Sequence, residues 1–340
     1  MKIRKGYCFD DVLLVPKFST LLSRSKVDIS THLGRINLQM PIVSANMINV
    51  TGADMAIALS NLGGLPILHR FYDSISSVIH DFSRIKMESS HPENIGASVG
   101  IQESDKYLAD SLINAGCSIL CVDVAHGHHQ KCGEMVSYIA KRYPRVCVIA
   151  GNVATGAAAR WLYDFGAAVI KCGIGPGSLC TTRIETGNGV PQLTALYDVY
   201  KDSLRDDCSR KYHIIADGGI KRAGDIVKAL CFSDAVMLGN LLAGTDEAPG
   251  KVIHVNGYNH KEYVGSSTLK NNHIEGVKAL VPCKGPVSAV LQGLVEGLRS
   301  GCSYQGACDL KELREDPEFI EISSSGLGES HPHDVMVQGG

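Results

Sequence analysis

Eight short apolar runs, each closed by a polar or glycine-rich turn, constrain this chain more than any other feature. They read PIVSAN (41–46), LPILHR (65–70), NIGASVG (94–100), ILCVDVAHG (119–127), VCVIAGN (146–152), AVIKCGIG (168–175), HIIADGG (213–219) and DAVMLGN (234–240). Continuous apolar runs of strand length, as opposed to alternating ones, indicate strands buried on both faces of a parallel sheet. Between them lie stretches such as GADMAIALSNLG, KYLADSLINAG, GEMVSYIAKRY, AAARWLYDFG and AGDIVKALCF, whose apolar residues recur at spacings of three and four, as in helices. Eight strands alternating with helices predict a single (β/α)8 barrel over residues 1–340. Barrels routinely exceed the ~150 residues of an average domain. The competing architecture is an open doubly wound sheet. Its dinucleotide fingerprint needs GxGxxG directly after an early strand, and none stands there. The polar, aperiodic stretch from about 250 to 285 is expected to form a mobile flap near the barrel mouth. The end of the chain, 322–340, reads as a flexible tail.

Composition excludes several classes. The net charge is −2, which offers no basic field to nucleic acid or to an anionic membrane. Aromatic residues make up 6% of the chain and Trp161 is the one tryptophan, arguing against a stacking platform for single strands. No run reaches the ~18 apolar residues of a membrane span. Most of the twelve cysteines sit inside apolar runs, among them Cys117, Cys121, Cys147 and Cys172, and none of their spacings resembles a zinc site. The N-terminal segment MKIRKGYCFDDVLL has no long apolar stretch and no small-residue cleavage site. Reduced thiols in a cytoplasmic enzyme are therefore expected.

In a barrel the chemistry belongs to the loops after the strands. Those loops carry Asn46, His69, Asp123, the segment GIGPGSLCTTR (173–183), Asp217 and Gly239. Gly173, Gly175 and Gly177 free the backbone of that segment to form a tight loop whose amides can cradle a phosphate, or whose carbonyls can hold a monovalent cation. Cys180 then lies in a polar loop, where a locally stabilised thiolate is a nucleophile. Thr181, Thr182 and Arg183 place hydroxyls and a cation beside it. On these residues alone, a buried thiol in a glycine turn stays open as the alternative. ADGGI (216–220) and MLGN (237–240) follow the seventh and eighth strands, between which barrels commonly bind phosphate. Gly218, Gly219 and Gly239 permit close backbone approach there, although ordinary glycine turns would look the same. Asp217 would repel a phosphate and suits ribose hydroxyls. His126, His128 and His129 are clustered, but loop imidazoles without a matched carboxylate read better as solvated histidines than as a metal site.

The segment GIGPGSLCTTR, with IIADGGI and VMLGN downstream, resembles the signature of the IMP dehydrogenase and GMP reductase family. The resemblance runs from FDDVLLVP (9–16) to GLRSGCSYQGA (297–307). It implies a (β/α)8 barrel, typically a homotetramer, in which a cysteine is attached to C2 of the purine and hydride moves between that adduct and a nicotinamide cofactor. The regulatory modules that many dehydrogenases insert after the second strand are absent, since only residues 71–93 separate LPILHR from NIGASVG. The dehydrogenase activates water with an Arg–Tyr pair in its flap. No arginine occurs between Arg222 and Arg299, and Tyr263 alone does not make such a pair. ANM (45–47), DVAHGH (123–128) and AGNVAT (150–155) are similar to reductase words. IEGVKALVPCKG (274–285) aligns with a reductase segment whose glutamate works with a threonine on the departing ammonia.

The resemblance thus implies a GMP reductase using NADPH, with GMP and IMP as its ligands. Cys180, Thr182 and Glu275 would be catalytic. Ser178, Gly218, Gly219, Gly239 and Asn240 would hold the phosphate, Asp217 the ribose, and Gly265, Ser266, Ser267 and Gly276 would line the base. Asp123, Val124 and Ala125 would face the cofactor, and Ser23, Arg24 and Arg70 would reach a cofactor phosphate, to which a planar guanidinium is suited. The tail SSSGLGESHPHDV (323–335) looks instead like the dehydrogenase C-terminus, whose backbone helps complete a potassium site in a neighbouring subunit. That implies K+ at Gly175, Gly177, Cys180 and Arg183, with Glu329 from a neighbour. The alternatives are IMP dehydrogenase, oxidising IMP to XMP with NAD, and a non-catalytic purine-nucleotide-binding barrel.

Overall fold

The computed structural model describes residues 3–204, 211–265 and 277–333. Eight parallel strands close into a barrel: β1 (Ile42–Ser44), β2 (Leu65–Leu68), β3 (Gly96–Val99), β4 (Ile119–Asp123), β5 (Cys147–Val153), β6 (Val169–Cys172), β7 (His213–Asp217) and β8 (Ala235–Leu238). Each pairs with its neighbours in chain order, and β8 pairs with β1 through Val236–Ile42, Met237–Val43 and Leu238–Ser44 to close the ring. All eight apolar runs coincide with these strands. Residues of β1, β2, β3, β6 and β8 are buried along their whole length, because one face fills the barrel and the other meets helices.

The outer helices are α1 (Ala53–Asn61), α2 (Ile75–Glu88), α3 (Glu103–Asn114), α4 (Gln130–Arg142), α5 (Gly156–Asp164), α6 (Gln192–Ser203), α7 (Ala223–Leu230) and α8 (Val287–Tyr304). Side chains start several of them at the expected caps: Ser74 Oγ accepts from Ser77 N, and Thr155 Oγ1 from Ala158 N. The last helix approaches its neighbour at glycines. A Cβ at Gly297 would collide with Ala223, and one at Gly301 with Val227, both on α7.

Two expectations need correction. The excursion after β8 is not an aperiodic loop: Val252–Val255, Tyr258–Val264 and Lys278–Pro282 form a three-stranded antiparallel sheet. Its first hairpin turns on Asn256 and Gly257, at φ 51° and 84°, the left-handed pair that two-residue hairpins favour. A strand lies just ahead of the tail expected at 322–340, and the tail itself starts with a short helix. Phe319–Glu321 pairs with Val12–Leu14, and Ser323 Oγ caps a short helix, Ser324–Glu329, by accepting from Gly326 N at 3.2 Å. No helix among the described residues is long and apolar enough to cross a membrane.

The close approach of α7 and α8 can be tested directly. Gly301→Leu should destabilise the protein by ~1–3 kcal/mol through overpacking. Gly293→Ala, on the same helix but facing open space, should be neutral or slightly stabilising. Equal melting temperatures for the two variants in differential scanning calorimetry would contradict this packing.

Candidate active site

The C-terminal ends of four neighbouring strands carry one connected set of polar groups. Lys171 on β6 is only 3% exposed. Its Nζ lies 2.9 Å from Asp123 Oδ1 at the end of β4 and 2.8 Å from Asp217 Oδ2 at the end of β7. From β5, Asn152 Nδ2 donates to the same Asp217 oxygen at 2.9 Å and to the Gly173 carbonyl at 2.7 Å. Burial alone would raise the Asp123 pKa, but Lys171, helped by Arg70 and Asn46, outweighs it and holds the carboxyl below its ordinary value. Burial likewise works against a charged Lys171, yet Asp123 and Asp217 more than offset it and the net shift is upward.

This set forms one wall of a cavity of about 420 Å³ at the barrel mouth. The loop after β6 forms another, and its glycines have identifiable work. Gly173 has φ 150°, and a Cβ there would strike the Asp217 carbonyl. Gly175 (φ 84°) and Gly189 leave room for the stem of Arg183, whose guanidinium donates to the Ile174 carbonyl at 3.1 Å and to the Val190 carbonyl at 2.6 Å. Arg183 is therefore a brace for this loop. Its side chain cannot ligate a cation, and its carbonyl accepts from Gly187 N at 3.1 Å with a second lone pair left over.

Within the braced loop, Cys180 N donates to the Gly177 carbonyl at 3.0 Å, and the Cys180 thiol donates to Thr182 Oγ1 at 3.2 Å. Cys180 is half-buried and lines the cavity. The core cysteines differ sharply. Burial pushes the thiols of Cys117, Cys121, Cys132, Cys231 and Cys302 up to about 12 and that of Cys147 up to about 11. Such thiols are inert at neutral pH. The eleven cysteines among the described residues are all free.

Most of the expected site residues meet here. Arg70, Asp123, Val124, Ala125, Gly175, Gly177, Ser178, Cys180, Thr182, Asp217, Gly218 and Gly265 all line the cavity. Gly219, Gly239 and Asn240 sit in the adjoining turns after β7 and β8. Gly218 and Gly219 have φ of 91° and 82°, and Gly218 packs against Pro176 too closely for a side chain.

Ser23 and Arg24 do not join this site within one chain. They line a separate cavity with Ser300, Ser303 and Tyr304, where Arg24 Nη1 lies 3.4 Å from Ser300 Oγ. Glu329 ends the exposed helix of the tail and is not among the cavity-lining residues. Ser266, Ser267, Glu275 and Gly276 lie outside the described residues. His69 is structural: it is buried, stacked on Tyr72 with centroids 4.4 Å apart, and its Nδ1 accepts from Phe71 N at 3.2 Å. Burial pulls its pKa down to about 4. His129 caps α4, and His128 packs edge-on against Trp161. Among the described residues no group of three or more His, Cys, Asp or Glu side chains is placed to hold a metal ion.

Three residues of the site were not picked out from the sequence. Lys171 stands as the one charge inside an otherwise apolar run, AVIKCGIG, and that interruption was the available signal. Asn152 sits next to it in the ladder. Tyr263 is only 3% exposed and lines the cavity. Its hydroxyl lies 3.7 Å from Met47 Sδ and would be 2.7 Å from a Cβ at Gly239. The Asn-Gly hairpin that delivers it was the missed clue.

The fold and cavity are those of a barrel enzyme with a loop cysteine at its mouth. Residues 6–333 match the family model described as "IMP dehydrogenase / GMP reductase domain". The chain is 35% identical to inosine-5'-monophosphate dehydrogenase of Borreliella burgdorferi, over 98% of this chain and 98% of that protein. Identity to the enzyme of the same name is 34% in Aquifex aeolicus (99% and 97% covered) and 31% in Nitrosopumilus maritimus (99% and 100%). Among solved structures, a cysteine-to-alanine variant of Trypanosoma brucei GMP reductase in complex with guanosine 5'-monophosphate superposes with a TM-score of 0.87 at 29% identity, covering 98% of this chain and 99% of that one. The chain belongs to the IMP dehydrogenase/GMP reductase family. Its members are oxidoreductases of purine nucleotides that use nicotinamide cofactors.

The charged ladder makes a signed prediction. A carboxyl with a depressed folded-state pKa contributes stability above its unfolded pKa and loses it as pH falls through the folded value. Asp123→Asn should therefore flatten the acid limb of the stability curve, measured by urea unfolding from about pH 3 to pH 7. At neutral pH the variant should be less stable, by up to ~3–5 kcal/mol if the charge on Lys171 is left poorly compensated. An acid limb identical to that of the wild type would contradict the assignment.

Proposed function

We propose that this protein is a GMP reductase, converting GMP to IMP and ammonia with NADPH through a covalent bond between Cys180 and C2 of the purine. The observation that carries the direction is the absence of any arginine from 223 to 298. A flap without arginine lacks one member of the Arg–Tyr pair with which the dehydrogenase activates water. The contact between Cys180 and Thr182 supports the chemistry, because it places a hydroxyl where a proton must move.

In this reading Cys180 forms a bond to C2 as the bond to the 2-amino group breaks. The thiol proton leaves with the nitrogen as ammonia, passed by Thr182 and Glu275 as general acid–base partners. A reduced nicotinamide, when bound, would supply the hydride that replaces sulfur at C2, releasing a Cys180 thiolate that takes up a proton from solvent. Asp217 already accepts from Lys171 and Asn152 on Oδ2, which leaves Oδ1 for ribose hydroxyls. Ser178 and the turns at Gly218–Gly219 and Gly239–Asn240 would hold the 5'-phosphate, with the Tyr263 hydroxyl beside them. Gly265, Ser266, Ser267 and Gly276 would line the base.

The residues fit a nicotinamide cofactor on the Asp123 side. Two buried polar atoms there, Asn152 Oδ1 and Arg70 Nε, have no hydrogen-bond partner among the described residues, and both residues line the cavity. Asp123, Val124 and Ala125 would orient it. Arg70 would hold a phosphate, and Ser23 and Arg24 could do so only from a neighbouring subunit. A homotetramer, with K+ held by carbonyls at Gly175, Gly177 and Cys180 and by Glu329 of a neighbour, completes this proposal.

IMP dehydrogenase is the second reading, favoured by the names of the relatives at 31–35% identity. Absorbance of the reduced nicotinamide separates the two. GMP with NADPH should drive its loss, whereas formation of reduced cofactor from IMP and NAD, with GMP inert, would overturn the reductase assignment. Cys180→Ala should abolish turnover, by at least ~10³-fold, while sparing GMP binding measured by calorimetry. Retained turnover would remove the nucleophile.

A further inference from the structure

A second buried lysine, outside the charged ladder, has no carboxylate partner among the described residues. Lys261 lies on the strand Tyr258–Val264 and is 4% exposed. Its Nζ donates to three carbonyls, those of Thr245 at 2.8 Å, Asp246 at 3.0 Å and Ala248 at 2.8 Å. Three donated bonds use every N–H of an ammonium group. Carbonyl oxygens converging on one point are also how proteins replace the hydration shell of a monovalent cation. The loop from β8 to the flap sheet therefore wraps a positive charge supplied by the sheet itself.

Several further contacts hold the same loop. Lys284 Nζ donates to the carbonyls of Asn240 at 2.5 Å and Leu241 at 3.1 Å. Lys284 N donates to the Gly244 carbonyl at 2.9 Å, and a Cβ at Gly244 would collide with the Pro282 carbonyl. Glu247 Oε2 accepts from Val287 N, at the start of α8, at 2.8 Å. Residues two apart in a strand point to the same face. The face that sends Lys261 into the loop thus sends Tyr263 into the cavity, where its hydroxyl meets Met47 Sδ and the Gly239 turn.

We propose that the Lys261 ammonium is a tethered monovalent cation that fixes the depth of Tyr263 at the Gly239 turn, and that Lys261 is a positioning residue for nucleotide binding. The identity of the nucleotide rests on the reading given above; the cation role of the lysine does not. Deleting the side chain while keeping the carbonyls opens a space that a free cation can fill. Replacing it with an apolar chain of similar length blocks that space and strands the carbonyls, each a buried acceptor without a donor.

The test compares wild type, Lys261→Ala and Lys261→Met in buffer whose only cation is tetramethylammonium, with ammonium or potassium chloride titrated in. GMP affinity and melting temperature are both read. Lys261→Ala should lose GMP affinity about ten- to a hundredfold, the range expected on losing charged hydrogen bonds, and should regain most of it with ammonium or potassium. Lys261→Met should lose a similar factor and regain none. All three proteins keep the carbonyl site expected near Cys180, so only the ion response particular to Lys261→Ala counts. The proposal falls if that response does not exceed those of wild type and Lys261→Met, or if Lys261→Ala binds GMP like wild type. Should Lys261→Ala fold only when ammonium or potassium is present, the proposal stands; failure to fold in either medium while Lys261→Met folds would overturn it. If wild type binds neither GMP nor IMP, the nucleotide reading fails separately, and the ion-dependent melting of Lys261→Ala still decides the role of the lysine.

Discussion

Lys171 sits where water is almost excluded, and bringing an ammonium into such a place costs several kcal/mol unless opposite charge meets it at close range. Asp123 and Asp217 meet it at 2.9 and 2.8 Å from the ends of β4 and β7. With Asn152 on β5, these groups stand on four neighbouring strands. Any shift of one strand relative to the next would lengthen a contact between buried charges. The ladder therefore ties the register of the barrel to the position of the carboxylates at its mouth. Both carboxylates line the cavity, so one buried cation orients the groups expected to meet two different ligands.

The loop that carries Cys180 is shaped by the same constraint. Asn152 donates both to Asp217 and to the Gly173 carbonyl, which draws the start of the loop against the end of β7. At that approach only glycine fits at 173. Arg183 then folds back over Gly175 and Gly189 and satisfies two carbonyls, closing the loop on itself. What results is a cysteine held by its backbone in a polar, partly open cavity, while the core thiols are pushed up by burial and removed from chemistry.

The barrel was legible in the sequence because strands buried on both faces read as unbroken apolar runs, and eight of them repeat. The glycine-rich loop was legible too, since φ values such as those at Gly173, Gly175, Gly218 and Gly219 leave few alternatives to glycine. Lys171 escaped notice for a physical reason: pattern alone does not tell whether a charge within a buried strand is tolerated, paired or misplaced, and pairing depends on strands distant in sequence. The flap sheet escaped because its strands are half-exposed and its middle strand, Tyr258–Val264, is mostly polar, so the hairpin signal rested on Asn256 and Gly257. Ser23 and Arg24 were grouped with Arg70 by resemblance, which carries no information about whether residues meet within one chain or between copies.

Two buried ammonium groups with different electrostatics thus support the cavity, Lys171 in its wall and Lys261 behind Tyr263. Lys171 is balanced by full charges, so its contribution is linked to pH through Asp123 and fades as that carboxyl is protonated. Lys261 is balanced by carbonyl dipoles that do not titrate, so the placement of Tyr263 is insulated from that change. The charge on the Asp123 wall can therefore change with pH while the Tyr263 wall keeps its geometry.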